Sequence, residues 1–497
     1  MTIQLNQEQQ QALAFILDFL QDDAQDVLIL RGSAGTGKTT LIAEVVQQIL
    51  SMNKSVQLMA PTARAARVLT VKLAARDDEE NKAFCSTLHS CIYSEPQLEL
   101  DEEKSREEFE LQAEEVQDEL HQYFPLKTEE PSWQIAIVDE ASMLGDLKQK
   151  QTTLQFGSGR VLHDLLRYTR MSLARTDGEI RRKLIFVGDH NQLPPVKEQS
   201  SPALDAEYLR GKYGLQVCEI GLNQVMRQTD GSRILDVASR LRDALGYDWR
   251  VAPPLPDEAE GLSYFSSKDA VTYYVGLYRD RKVTSIVTHS NGKALGYNTA
   301  IRKQLCGEAA PELVRGELLL INQNCPLYGM SNGDLVKISE LSARSENVTI
   351  RLQKGGPVTL RFRDVTLVYR LASGEIAKKN CKILENLLDR EDNILMRNER
   401  IALLVHFCNR HKDLNKKSRA FMRALMDDPY YNALRVKYGY AMTCHKAQGG
   451  EWEEIIVDLP HWFDGRHSTT HFRWVYTAIT RAKKRLCMVN AENFFSG

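Results

Sequence analysis

Short apolar runs punctuate the first half of the chain. Val27-Leu28-Ile29-Leu30, Val56-Gln57-Leu58-Met59-Ala60, Ile135-Ala136-Ile137-Val138 and Leu184-Ile185-Phe186-Val187 read as strands, and a helix is predicted from about Lys38 to Ile49. Near-continuous apolar strands alternating with helices imply a parallel sheet covered on both faces. The alternation resumes after about Leu215, at Ser285-Ile286-Val287-Thr288 and Glu454-Ile455-Ile456-Val457. Two stretches interrupt it. Residues 91–132 look mostly helical and very polar, an excursion from the α/β core. Farther on, Val348-Thr349-Ile350-Arg351-Leu352 and Val358-Thr359-Leu360-Arg361-Phe362 alternate strictly around Lys354-Gly355-Gly356-Pro357, which predicts a β-hairpin. The expected division is therefore 1–90 with 133–214 as one α/β domain and 215–320 with 438–497 as a second. Residues 91–132 interrupt the first, and the β-rich 321–437, with a basic helical tail, interrupt the second.

The 497 residues are 43% hydrophobic and 26% charged, which excludes wholesale disorder. No apolar run is long enough to span a membrane, and the polar start Met1-Thr2-Ile3-Gln4 lacks the layout of a secretory signal. Nine cysteines with no two-residue spacing argue against a disulfide framework or a zinc knuckle. A reduced, cytoplasmic protein without membrane association is expected. The net charge of −2 speaks against a polyanion partner until its distribution is read. Residues 101–130 hold 12 acidic and 3 basic side chains, so the rest carries 61 basic and 54 acidic, a net of +7. Such a body permits nucleic-acid binding without indicating it.

The chemistry begins at Gly32-Ser33-Ala34-Gly35-Thr36-Gly37-Lys38-Thr39, which fits G-x-x-x-x-G-K-[ST] between a strand and a helix. Gly32, Gly35 and Gly37 let backbone N–H groups wrap phosphate oxygens at a helix N-terminus. Lys38 would reach the β/γ-phosphates of ATP, and the hydroxyl of Thr39, followed by Thr40, would ligate Mg²⁺. Asp139-Glu140 ends a buried strand, where Asp139 would hold Mg²⁺ and Glu140 would polarise the attacking water. Gly188 to Val196 is a third strand end, and its Gln192 can contact the γ-phosphate; a plain turn is the alternative there. Together these runs describe a nucleotide-hydrolysing domain.

At this point the sequence resembles the superfamily 1 helicases, most closely the RecD-like and Dda-like branch, from Leu5 to about Leu486. Leu5-Asn6-Gln7-Glu8-Gln9 is similar to the adenine-reading Q motif, with Gln9 the reader. Ala60-Pro61-Thr62-Ala63-Arg64 and Thr87-Leu88-His89-Ser90 look like strand-contacting motifs, and Gly188 to Pro195 like motif III. Leu222 to Gln228 resembles motif IV, whose Arg227 would reach the γ-phosphate. Ala441 to Trp452 resembles motif V, placing Thr443 and His445 on the strand and Gly449 and Glu451 near the ribose. Val475 to Ala482 is similar to motif VI, with Arg481 as arginine finger. One departure is Gly450, where motif V commonly has serine.

The resemblance implies two RecA-like P-loop domains, with a small helical insertion in the first and an SH3-like one in the second. It implies an ATP- and Mg²⁺-dependent helicase moving 5′→3′ on single-stranded DNA, with tailed duplex as substrate. An RNA helicase and a nucleotide-switched binding module that hardly turns over are the rivals. Asn291 is as suited to capping a helix as to touching the strand. Residues 397–437 carry 10 Lys/Arg and 4 Asp/Glu with Phe407, Phe421, Tyr430 and Tyr431, suiting either a single strand or an amphipathic helix.

Overall fold

The computed structural model describes residues 5–495 apart from 75–84, 96, 101–119, 149–153, 172–181, 225–232, 247–252, 308–311, 353–354, 372–374, 416–417 and 462–467. In chain order the first strands are β1 (Val27–Gly32), β2 (Val56–Ala60), β3 (Cys85–Thr87), β4 (Gln97–Leu100) and β5 (Leu120–Phe124). They are followed by β6 (Ile135–Val138), β7 (Leu154–Phe156), β8 (Lys183–Gly188) and β9 (Val217–Leu222). Six of them form a parallel sheet in the order β3-β2-β6-β8-β1-β9. Successive strand side chains point to opposite faces. Leu28 and Leu30 accordingly pack with Leu41, Val45 and Leu69 on one side. Val27 and Ile29 pack with Leu88, Leu162 and Leu209 on the other. This double burial is why the strands are apolar throughout.

The second α/β unit contributes β10 (Leu262–Phe265) and β11 (Ile286–Thr288). The chain then makes β12 (Leu318–Ile321), β13 (Leu335–Leu341), β14 (Glu346–Leu352), β15 (Gly356–Arg370), β16 (Ile376–Leu384) and β17 (Leu434–Tyr438). It returns through β18 (Ala441–Thr443), β19 (Trp452–Asp458) and β20 (Ala482–Val489). The second parallel sheet runs β10-β20-β19-β11-β18. The inserted strands run β13-β12-β17-β16-β15-β14, and β13 also pairs with β15. That extra pairing closes five strands into a ring, which removes the open edges a free sheet would expose. The hairpin β14–β15 has Val348 opposite Leu360 and Ile350 opposite Val358, the pairing its alternation predicts. Among the described residues no helix is long and apolar enough to cross a membrane.

Two expectations need correction, and one open alternative is decided. β9 pairs with β1 from Val27–Val217 to Gly32–Leu222, so the first sheet runs past the boundary expected at 214. The excursion at 91–132 is not a helical insertion where it is described. β4 and β5 pair antiparallel, and β5 pairs in parallel with β7, so residues 154–156 also belong to this side sheet. Residues 101–119, the most acidic part, lie outside the described residues. In the basic tail, Phe407 and Phe421 are 0% and 1% exposed and meet edge to face at 5.2 Å between centroids. They are core residues and offer no face to a base. Lys416 and Lys417 lie outside the described residues.

Candidate functional site

The end of β1 and the helix Lys38–Ser51 frame the phosphate loop. Gly35 (φ 83°) and Gly37 (φ 79°) take the left-handed backbone that turns the loop's N–H groups inward. A Cβ on Gly32 would lie 2.8 Å from Thr36 Oγ1, so a side chain there would press on the loop itself. Lys38 Nζ donates to the carbonyls of Gly32 (2.6 Å) and Ser33 (3.0 Å), holding the ammonium over the loop. Thr39 and Thr40 follow in the first helical turn, both half-buried. Gln9 stands beside the loop because Asn6 and Gln9 form a capping box on the helix Gln7–Gln21. Its amide donates to the Thr36 carbonyl at 3.3 Å.

β6 delivers Asp139 and Glu140 to the same end of the sheet. Glu140 has φ 52°, a left-handed backbone that costs a non-glycine residue about 1–3 kcal/mol. Its N–H donates to Asp139 Oδ1 at 2.9 Å. Burial, then the neighbouring Glu140 charge, pushes the Asp139 carboxyl up to about 6, with Lys38 acting in the opposite sense. Two carboxyls held this way favour a cation. Among the described residues no group of three or more His, Cys, Asp or Glu could cage a metal alone. The Thr39 hydroxyl and Asp139 supply hard oxygens of the kind Mg²⁺ takes beside substrate phosphates.

The second domain closes this edge. Arg481 is 4% exposed, with Nε donating to the Thr477 carbonyl (3.0 Å) and Nη1 to Gly450 (3.4 Å). Its Nη1 lies 3.9 Å from Glu140 Oε1. Tyr476, on the helix Thr469–Ile479, donates its hydroxyl to Asp189 (2.6 Å) and accepts the Ala34 N–H of the phosphate loop (3.1 Å). The Leu193 N–H donates to Thr477 Oγ1 at 2.8 Å, and Gln448 donates to the Leu193 carbonyl at 3.2 Å. Gln192 is 4% exposed in this loop, and its Oε1 has no hydrogen-bond partner; Asn191 Nδ2 has none either. Buried polar atoms are almost always paired, so this pair marks a place built for a polar visitor. Glu8 accepts the N–H groups of Asn223 (2.8 Å) and Gln224 (2.7 Å), tying the Q-motif helix to the start of the motif IV segment. Arg227 itself lies outside the described residues.

Gly449 and Glu451 sit where the two domains touch. Gly449 (φ 71°) backs onto Thr62 and Ala65, and a Cβ there would come within 2.8 Å of Ala65. Glu451 pairs with Lys72 of the first domain (3.2 Å) and with Lys483 (3.4 Å). Gly450 is required by its neighbours: a Cβ would lie 2.6 Å from the Trp452 ring and 2.9 Å from Arg64 Cδ. That crowding accounts for the departure from serine.

The candidate strand-facing residues differ in how free they are. Pro61 and Thr62 precede the helix Ala63–Ala74, and Thr62 Oγ1 accepts the Ala65 N–H at 3.1 Å. Arg64 donates to the Gly333 carbonyl (2.8 Å) and lies over the Trp452 ring, 5.1 Å from its centroid. Burial lowers it to about 10. His89 packs against Phe156 (4.8 Å) and Tyr93 (5.5 Å), and burial pushes it down to about 4, so it is neutral at physiological pH. Ser290, rather than Asn291, caps the helix Asn291–Cys306, accepting from Lys293 N–H. Thr443 makes no side-chain cap bond, and with Asn291 it lines a cleft beside β18. Desolvation, then the neighbouring His289, lowers the pKa of His445. Tyr476 and the Lys72–Glu451 pair were missed by sequence reasoning. A tyrosine inside a buried helical motif was the available signal, since a buried phenol needs a partner.

Comparison with known proteins adds family-level findings. Residues 20–198 match a model described as an AAA domain, and residues 438–489 a UvrD-like helicase C-terminal domain. An uncharacterized protein of Methanocaldococcus jannaschii is 24% identical over 93% of this chain, which spans only 36% of that protein. The RecBCD enzyme subunit RecD of Buchnera aphidicola is 22% identical, covering 98% of this chain and 73% of its own length. The ATP-dependent DNA helicase dda of Enterobacteria phage T4 is 23% identical, covering 96% and 98%. The two family models, these relatives and the order of the motifs point the same way: the chain is similar to superfamily 1 helicases of the RecD-like and Dda-like type.

Proposed function

We propose that this chain is an ATP-driven DNA helicase that moves 5′→3′ along a single strand by closing its two α/β domains on each ATP. The observation that carries this reading is Arg481 of the second domain standing 3.9 Å from Glu140 of the first. In it, Lys38 and the phosphate-loop N–H groups bind the β/γ-phosphates, and Thr39 with Asp139 holds Mg²⁺, which supplies charge neutralisation. Gln9 reads adenine, with Thr40, Gly449 and Glu451 around the rest of the nucleotide. Glu140 accepts a proton from the attacking water, Gln192 contacts the γ-phosphate, and Arg481, joined by Arg227, stabilises the charge that develops. Pro61, Thr62, Arg64, His89, Asn291, Thr443 and His445 face the strand. Hydrolysis removes the phosphate link between the domains and lets the cleft reopen, one step along the strand.

The test is ATP turnover without nucleic acid, with single-stranded DNA and with single-stranded RNA, followed by unwinding of 5′- and 3′-tailed duplexes. Stimulation by DNA and unwinding of 5′-tailed duplex alone are expected. Stronger stimulation by RNA would make the chain an RNA helicase. Strand binding without turnover would make it a nucleotide-switched module.

A further inference from the structure

The loop Asp189–Leu193 follows β8 and so belongs by sequence to the first α/β domain, yet its far end is packed into the second. Leu193 is 2% exposed and sits in the apolar cluster of the second domain with Ala447, Val475 and Ala478. Its N–H donates to Thr477 Oγ1 (2.8 Å), and its carbonyl accepts from Gln448 (3.2 Å). The near end of the loop is fastened by Tyr476. A phenol has one proton to give and lone pairs to accept with. Tyr476 gives that proton to Asp189 Oδ2 (2.6 Å) and accepts the Ala34 N–H of the phosphate loop (3.1 Å).

Asp189 passes the connection on. Its Oδ1 accepts the Asn191 N–H (3.0 Å), and its carbonyl accepts the Gln192 N–H (3.2 Å). Gln192 is therefore gripped on both sides by neighbours on one helix, Thr469–Ile479, while its own Oε1 has no hydrogen-bond partner. Burial, then the Asp189 charge, pushes the Tyr476 hydroxyl well above the usual phenol range, with the Ala34 N–H and Ser33 acting in the opposite sense. It stays a donor at any working pH. A hydrogen bond to a carboxylate is stronger than one between neutral groups, so this contact is more than a packing neighbour.

We propose that Tyr476 is a positioning residue for ATP hydrolysis: its hydroxyl ties the phosphate loop at Ala34 to the Gln192 loop at Asp189, and so sets Gln192 only while the second domain is closed. This rests on the reading that ATP is hydrolysed between the two domains. It goes beyond that reading because the link runs through protein atoms alone and does not pass through the γ-phosphate. Tyr476 and Thr477 share a helix, so opening withdraws both supports of Gln192 together. Arg481 follows the same helix, and Gln192 is thus held in place only when Arg481 is also at hand.

The experiment measures steady-state ATP turnover at saturating oligothymidylate for wild type, Tyr476→Phe, Gln192→Ala and the double variant, with ADP affinity alongside. Phenylalanine keeps the ring in the apolar cluster and leaves Arg481 its bonds to the Thr477 and Gly450 carbonyls. Tyr476→Phe should lower kcat by ~10-fold to 100-fold, the size of a lost bond to a charged group, with the KM for ATP and the ADP affinity nearly unchanged. Two residues that act through one contact do not add, so the double variant should lose far less than the product of the single losses. Thr477→Val removes the Leu193 support instead and should show the same loss confined to kcat. Wild-type kcat in either Tyr476→Phe or Thr477→Val overturns the proposal. So does a double variant whose losses multiply, which would make Tyr476 act apart from Gln192. A raised KM with unchanged kcat also overturns it, because that is the mark of ground-state binding. A wild type without strand-stimulated turnover would instead overturn the hydrolysis reading, and the positioning role with it.

Discussion

The two edges of the cleft between the α/β domains are built differently. On the nucleotide edge, polar groups are buried and poised: Gln192 Oε1 and Asn191 Nδ2 have no partner, and Asp139 feels the charges of both Glu140 and Lys38. On the strand edge, several candidate groups are already engaged within the protein. Thr62 caps a helix, Arg64 grips Gly333 and Trp452, and His89 is packed among aromatic rings. Thr443 makes no side-chain cap bond, and with Asn291 it lines the cleft beside β18. A group that waits unpaired makes its bonds at once when substrate arrives. A group that must leave a partner couples strand binding to movement of the domains. The Arg64 contacts cross from the first domain to the second, so a strand that recruits Arg64 also alters how the domains meet.

The largest effect should come from the poised edge. Lys38→Ala removes the main fixed cation under the phosphates and should cut ATP turnover by ~10²–10³-fold or more. Strand binding should survive in part; normal turnover in the purified variant would end the phosphate-loop assignment. Glu140→Gln keeps the shape but cannot accept a proton, and turnover should fall by about 10²–10⁴-fold with nucleotide affinity retained. Lost affinity with normal turnover at saturation would show that Glu140 serves binding instead.

The engaged edge should respond through packing. Gly450→Ser places an atom against Trp452 and Arg64, at a cost of about 1–3 kcal/mol of overpacking. Its thermal midpoint should drop, and DNA stimulation of turnover should weaken, since the crowded side chains lie on the domain contact. A variant as stable and as stimulated as wild type would mean that this contact is loose.

The smallest effect lies away from both edges, and it calibrates them. Asp146 Oδ2 accepts from Tyr208 (2.6 Å), Tyr213 (2.7 Å), Lys212 (2.8 Å) and Arg160 (3.0 Å). Burial alone would raise this carboxyl, but Lys212, Tyr208, Tyr213 and Arg160 outweigh it and hold it down at about 2. Its ordinary value is about 3.9, so its contribution to stability is complete above that pH and is lost as pH falls through about 2. Asp146→Asn should be less stable than wild type at neutral pH, and acid titration should bring the two curves together. Curves that stay parallel to pH 2 would remove Asp146 as the cause.

How legible each part was in the sequence follows from the range of the interactions. The phosphate loop and the apolar strands depend on neighbours within a few residues, and they read directly. β9 does not show its domain in the sequence because it lies at the sheet edge, where Glu219 and Gly221 are exposed and the apolar run is broken. The excursion at 91–132 looked helical because acidic helix-formers dominate it, whereas pairing with β7 decides β5. Phe407 and Phe421 could have stacked on bases or packed in a core, and composition does not separate the two. Tyr476 meets Ala34 across 442 positions of sequence, a contact that no local pattern announces.

Closure of the second domain onto the first would complete the ATP site, and Arg481 is the residue on which that closure can be read. Steady-state turnover of wild type and Arg481→Ala should be compared with and without saturating single-stranded DNA, alongside nucleotide affinity. An arginine finger is worth ~10³–10⁵ in rate. Wild type should be slow alone and strongly stimulated by the strand, while Arg481→Ala should lose most of the stimulated rate with little change in nucleotide affinity. An Arg481→Ala protein that DNA still drives to the wild-type rate would contradict the account.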